Sequence, residues 1–276
     1  MAPLDYLVLR TIRYFMPPSW TKWLLRRRWI IKPGLETRDP RTASARYLDF
    51  MHRHDRSVEG TRVFILGYGG RFDVAVALLE AGAESVTLSD PFAAPDVESA
   101  RRLERHHPGY VDVHAGQVRI LDARLILLDG DVRATAGQGD PGYSLVLSSS
   151  VYEHLDDPAE ITRALASITS KEGFHIHFID LRDHFFKYPF EMLCHEEQTW
   201  KRFLNPSSNL NRFRIPDYEA VFSECFTDAV WEVLSSDQEA FRRVRHRILP
   251  QYLTGSDELD AITRIVYAAW NPRPTA

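Results

Sequence analysis

From residue 62 onward, short apolar runs alternate with amphipathic stretches of helical spacing. RVFILG (62–67) has the character of a buried strand, RFDVAVALLEAG (71–82) that of a helix closed by Gly82, and SVTLSD (85–90) that of a second strand ending in an acid. These three segments predict a β-α-β unit. DVESARRLERHH (96–107) continues as a helix, RLILLDGD (124–131) as a strand with Asp131 at its exit, and YSLVLSSS (143–150) as another strand. DPAEITRALASITS (157–170) follows as a helix and GFHIHFIDL (173–181) as a further strand. Apolar strands alternating with helices predict an α/β fold: a doubly wound, mostly parallel Rossmann-like sheet covered on both faces. Beyond about residue 182 the pattern mixes loop, helix and at least one more strand.

Upstream of residue 60 the pattern is different. LDYLVLRTIRYFM (4–16) and SWTKWLLRRRWII (19–31) carry helical spacing broken by Pro17 and Pro18, and DPRTASARYLDFMHRH (39–54) opens with Asp39 as cap and Pro40 in the first turn. The expected organisation is an N-terminal helical arm or lid over residues 1–60 and a main domain over 61–276, with an insertion at about 182–215.

In an open parallel sheet, ligands bind outside the carboxyl ends of the strands. The turn LGYGGRFD (66–73) lies at that edge, where Gly67, Gly69 and Gly70 allow positive φ and close backbone approach, and where the next helix presents unpaired amides. About twenty residues later Asp90 ends the second strand, where a carboxylate can accept from both hydroxyls of a ribose. The turn lacks the Gly-Lys-Ser/Thr end of an ATPase loop, and Phe72 stands where a dinucleotide fingerprint has its third glycine. An adenosine-containing ligand is expected.

The segment YSLVLSSSVYEHLDDPAEITRAL (143–165) resembles the fourth-strand region of class I S-adenosylmethionine-dependent methyltransferases, matched in order by Val151, Tyr152, Glu153, His154, Leu155 and Pro158. LLDGDV (127–132) resembles the strand of that family that delivers an acid to adenine. The resemblance covers residues 62 to about 184. It implies S-adenosyl-L-methionine as cofactor, with Gly67, Tyr68, Gly69, Gly70, Asp90, Asp131, Val132 and Ser148 as its contacts. Three departures stand out: Ile65 replaces the acid before the first glycine, Arg71 replaces the third spaced glycine, and the aspartate at the start of the fourth strand is not evident. Arg71 is left with two roles, beside the cofactor carboxylate or capping a surface.

Methyl transfer to a hydroxyl or amine benefits from a base near neutral pKa, and histidine is the natural choice. His154 follows the fourth strand, and HIHFIDLRDHF (175–185) supplies His175, His177, Asp180, Asp183 and His184 around the fifth. His184, Asp183 and His154 are the expected catalytic residues, His184 foremost as base, with Asp180 on the acceptor side. His175 and His177 share a strand face and invite a metal reading with Asp180, but no metal-ligand spacing supports it, so no metal is assigned. TWKRFLNPSSNLNRFRIPDYEAVFSECF (199–226) resembles the acceptor-side insertion of methyltransferases for small molecules and glycan precursors, which makes Arg212 and Arg214 candidates for an acceptor phosphate or carboxylate.

Overall charge changes the picture by exclusion: a net charge of −4 gives no electrostatic footprint for nucleic acid. Cys194 and Cys225 lack the spacing of a zinc or redox motif and read as reduced thiols, consistent with a cytoplasmic protein. In the arm, basic residues interleave with Tyr14, Phe15, Trp20, Trp23 and Trp29, a composition that suits a lid over an acidic acceptor, peripheral contact with an anionic membrane, or a plain solvated helix face. The expectation is a methyltransferase acting on a small-molecule or glycan-type acceptor at oxygen or nitrogen. The alternatives are an NAD(P)-dependent oxidoreductase and a methyltransferase-fold protein without catalysis.

Overall fold

The computed structural model describes residues 3–16, 39–128, 130–135, 142–185, 187–206 and 209–274 of the 276. The helix expected over 19–31, with Trp20, Trp23 and Trp29, lies outside them.

The strands are β1 (Arg62–Leu66), β2 (Ser85–Ser89), β3 (Val111–His114), β4 (Gln117–Ile120), β5 (Leu125–Leu128), β6 (Tyr143–Ser149), β7 (Thr169–Asp180), β8 (Phe226–Ser236) and β9 (Ile262–Pro272). Seven form one sheet in the order β5-β2-β1-β6-β7-β9-β8. The pairs β1 with β2, β1 with β6, β2 with β5 and β6 with β7 are parallel, whereas β9 runs antiparallel to both β7 and β8. The mostly parallel α/β sheet is as the alternating pattern predicts. The strand order reverses between β1 and β6, and the carboxyl ends of these two strands are where open α/β sheets take their ligands. The antiparallel insertion of β9 departs from the wholly parallel six-strand order of a dinucleotide-binding domain, which weighs against the oxidoreductase alternative.

Alternation along the strands sends Val63, Ile65, Leu145, Leu147 and Ile176 to one core, and Phe64, Leu66, Val146, Ile179 and Ile265 to the other. On the first face pack α2 (Pro40–Arg53), α3 (Asp73–Glu80) and α4 (Val97–His106); on the second pack α5 (Pro158–Ser167) and α6 (Ile215–Cys225). Helix α2 therefore shares the main core, through Tyr47, Phe50 and Met51, although the sequence pattern groups it with the arm. Asp39 accepts from an amide in the first turn of its helix, the capping expected of it, and Asp96 and Asp157 do the same for the helices that follow them. The hairpin β3–β4 was not foreseen. Ala115 and Gly116 form its two-residue turn, both at positive φ, as a tight hairpin with the twist of its strands requires.

Helix α1 (Leu4–Phe15) is docked by two buried side chains, Tyr6 and Arg10, while Leu4, Val8, Ile12 and Phe15 are exposed on it. No helix among the described residues is long and apolar enough to cross a membrane.

Candidate active site

At the end of β1, Gly67, Gly69 and Gly70 have φ of 78°, 62° and 78°, a region in which a side chain is strained. Space is the second reason for glycine here. A Cβ on Gly67 would stand 2.3 Å from Val151 Cγ2, and one on Gly70 would stand 2.4 Å from the Ala94 carbonyl oxygen. The turn is thus pressed between the loops that follow β6 and β2. Asp90 is held from the same side: Oδ1 accepts from the amides of Phe92 and Ala93 at 2.9 and 3.0 Å, and Oδ2 from the Gly69 amide at 3.1 Å. Three backbone donors fix the carboxylate without a side-chain cation. Helix α3 begins without a side-chain cap, leaving its first amides for another acceptor.

Beyond β6, a single 3-10 turn, Tyr152–His154, carries Glu153 and His154 to the same sheet edge. Asn211 clamps this turn. Its amide donates to Glu153 O at 3.0 Å, and its side-chain nitrogen to Tyr152 O at 2.7 Å and Leu155 O at 3.2 Å. Asn209, at φ 52°, donates from its side chain to His154 O at 3.1 Å, and its own carbonyl oxygen lies 2.8 Å from His154 Nδ1. The pairing with a carbonyl requires Nδ1 to carry the proton, so the Nε2 lone pair faces outward from that contact. His184, in the loop after β7, meets His154 edge to face with ring centroids 4.7 Å apart, and its Nε2 lies 4.0 Å from Glu153 Oε1.

Glu153 is 3% exposed, and among the described residues neither carboxylate oxygen has a hydrogen-bond partner. Burial, reinforced by the charge of Asp180, pushes its pKa well above the ordinary range. The amides of Glu153 itself and of Asp180 counter this in part without meeting hydrogen-bond geometry. Arg182, whose positive charge acts in the opposite direction, is itself paired with Asp180 at 2.6 and 2.8 Å. Desolvation lowers the His184 pKa to about 3, with the neighbouring His154 adding to it, so the imidazole is neutral.

No family model matches the sequence, and no curated protein matches it. Solved structures do match. Phosphoethanolamine N-methyltransferase 2 of Haemonchus contortus, in complex with S-adenosyl-L-methionine, aligns over 83% of this chain and 53% of its own, at 12% identity and a TM-score of 0.51. Geranyl diphosphate C-methyltransferase of Streptomyces coelicolor aligns over 82% of this chain and 76% of its own, at 11% identity and a TM-score of 0.50. The chain has the class I methyltransferase fold.

Within this methyltransferase fold several expected site residues have other tasks. Asp183 is fully buried: its carboxylate accepts from Tyr6 Oη at 2.6 Å, from the Arg10 guanidinium and from the Phe185 amide at 2.7 Å. It anchors α1 and has no surface for an acceptor. Arg214 donates to the carbonyls of Leu181, Asp260 and Ile262 at 3.1, 2.8 and 2.8 Å, and desolvation lowers its pKa to about 10. Arg212 donates to Met192 O and His195 O and pairs with Glu197. Both guanidiniums tie chain segments together, so the bidentate acceptor contact expected of them is not what they make. Ser148 is inside the sheet, its hydroxyl 2.8 Å from His177 Nδ1, and the Val132 side chain is in the core; neither side chain faces the crevice. Tyr68 is also largely buried, its hydroxyl donating to Ala93 O at 3.3 Å.

Asp131 and Asp180 remain at the strand exits, each in an ion pair with an arginine two residues on, Arg133 and Arg182. Arg71 joins α3 to α4, donating to Ser99 Oγ at 2.8 Å with Asp73 at 3.5 Å, so of its two roles it takes the structural one. The sequence motif contains Glu153, yet that residue had no task assigned. The signal was an acid beside a histidine directly after an apolar strand, where burial is to be expected.

Proposed function

We infer that this chain is an S-adenosylmethionine-dependent methyltransferase that acts at oxygen or nitrogen of a small-molecule or glycan-type acceptor. The observation that carries the reading is the Asp90 carboxylate, pre-oriented by backbone amides beside the Gly67–Gly70 turn at the switch point of a sheet with the methyltransferase strand order. The residues fit the cofactor. Asp90 suits a ribose diol, and the uncapped start of α3 suits an amino-acid carboxylate. The cofactor supplies a methyl group on a sulfonium, transferred with the C–S electron pair returning to sulfur. The protein holds the acceptor in line and excludes water. Proton handling on the acceptor side falls to the cluster of Glu153, His154 and His184, with Asp183 acting only to position the loop that carries His184. The acceptor class rests on the resemblance of residues 199–226 and on the absence of a net basic charge.

Titration calorimetry with S-adenosylmethionine, S-adenosylhomocysteine and NADH tests the reading. The first two should bind and NADH should not. Asp90→Asn should weaken binding by roughly tenfold or more, the scale of losing charge-assisted hydrogen bonds. Binding of NADH alone, or of none of the three, would sink it.

A further inference from the structure

Glu153, His154 and His184 each offer one ligand atom, and these atoms lie within 4.8 Å of one another. Ligands on one tetrahedral or octahedral ion with bonds of about 2.0–2.2 Å stand roughly 3–3.5 Å apart, so closing this cluster needs shifts of the order of 1 Å. Geometry alone would be weak ground, since polar groups often cluster. The second observation is independent of it: Glu153 is buried, and both its oxygens lack a hydrogen-bond partner among the described residues. A buried carboxyl group without partners is costly unless something absent from the polypeptide satisfies it, and a cation is the natural candidate. The surroundings are also those of a ligand set. The Asn209 carbonyl fixes the His154 tautomer in the manner of an outer-shell acceptor, and Asp180 adds negative charge near Glu153.

The support is rigid on both sides. Asn209 and Asn211 hold the turn bearing Glu153 and His154, and the Asp183 anchor to Tyr6 and Arg10 holds the residue next to His184. Two residues before Glu153, Val151 is the residue that a Cβ on Gly67 would strike. The cluster therefore adjoins the turn assigned to the methyl donor.

We propose that Glu153, His154 and His184 bind one divalent transition-metal cation, with coordination positions left open for an oxygen of the acceptor. Two imidazoles and one carboxylate suit Zn²⁺, Mn²⁺ or Fe²⁺. The acceptor part rests on the methyltransferase reading; cation binding itself does not. With the cation bound, Glu153, His154 and His184 act as ligands and not as bases: an acceptor hydroxyl held on the ion would have its pKa lowered and give its proton to solvent, its oxygen forming the new bond to the methyl carbon as the C–S bond breaks with its pair going to sulfur.

The test titrates the full chain, stripped with chelator, with ZnCl₂ and with MnCl₂ by calorimetry, and follows Mn²⁺ by electron paramagnetic resonance. Wild type should bind one equivalent of at least one of these ions. Glu153→Gln and His184→Ala should each lose tenfold or more in affinity, and the exposed-site control His246→Ala should lose none. Melting temperature should rise with the ion in wild type and stay level in Glu153→Gln. The absence of saturable one-to-one binding, or binding unchanged in both site variants, overturns the proposal. S-adenosylmethionine titrated into the same stripped samples separates the two readings: cofactor binding without ion binding removes only the cation site, and ion binding without cofactor binding removes only the donor assignment.

Discussion

Two groups of polar residues occupy the strands and strand exits of β6 and β7, and only one of them is complete. Inside the sheet, Ser148 Oγ lies 2.8 Å from His177 Nδ1, His177 Nε2 lies 3.2 Å from His175 Nδ1, and His175 Nε2 lies 2.8 Å from Thr169 Oγ1, which donates in turn to Leu165 O at 2.6 Å. One assignment satisfies every member: each neutral imidazole accepts at Nδ1 and donates from Nε2, and each hydroxyl gives its proton onward. At the strand exits, Glu153 has both oxygens unpartnered among the described residues. The difference is one of energy. A closed chain rigidifies the core and needs nothing more, whereas an open one carries an energetic deficit that a ligand can remove.

The largest effect that sharpens this contrast comes from pH. Desolvation lowers His175 to about 3 and moves His177 in the same direction, so both stay neutral in the native state while the unfolded chain takes up protons below about 6.5. The unfolded state therefore binds more protons as pH falls, and stability drops below pH 6.5 by up to about 2.7 kcal/mol per pH unit for the pair. Urea unfolding at intervals between pH 7.5 and 5 measures it, and a flat profile would contradict the neutral chain. The next effect has the opposite sign. In metal-free protein, Glu153→Met should raise stability by about 2 kcal/mol, because it replaces unsatisfied buried oxygens with an apolar chain of similar size. A loss of that size would show that Glu153 has partners after all. Smallest is Ser148→Ala, which removes one hydroxyl from the closed chain and should cost about 1 kcal/mol in the same denaturation assay. Its affinity for S-adenosylmethionine should equal that of wild type, and a large drop would return Ser148 to the crevice.

The residues proposed for the donor side were more legible in the sequence than those proposed for the acceptor side. Gly67–Gly70 and Asp90 act through backbone conformation and through position at a strand end, and both follow from local order along the chain. On the acceptor side the same residue types serve opposite ends. Asp183 and His184 are neighbours, yet Asp183 points into the N-terminal helix and His184 toward His154. Arg212 and Arg214 look like anion ligands in sequence, but burial against carbonyls from distant segments uses up their donors. The partners of these side chains lie up to 177 residues away along the chain, as for Tyr6 and Asp183, so no local pattern could reveal them.

By itself the sequence determined the alternation of strands and helices and the cap at Asp39, because periodicity and capping are set by residues close in the chain. Tertiary structure alone decided which polar groups are satisfied. The antiparallel place of β9, the closed histidine chain and the orphaned carboxylate of Glu153 all depend on which distant groups fold into hydrogen-bonding reach, and burial then sets the energetic consequence of every contact made or missing.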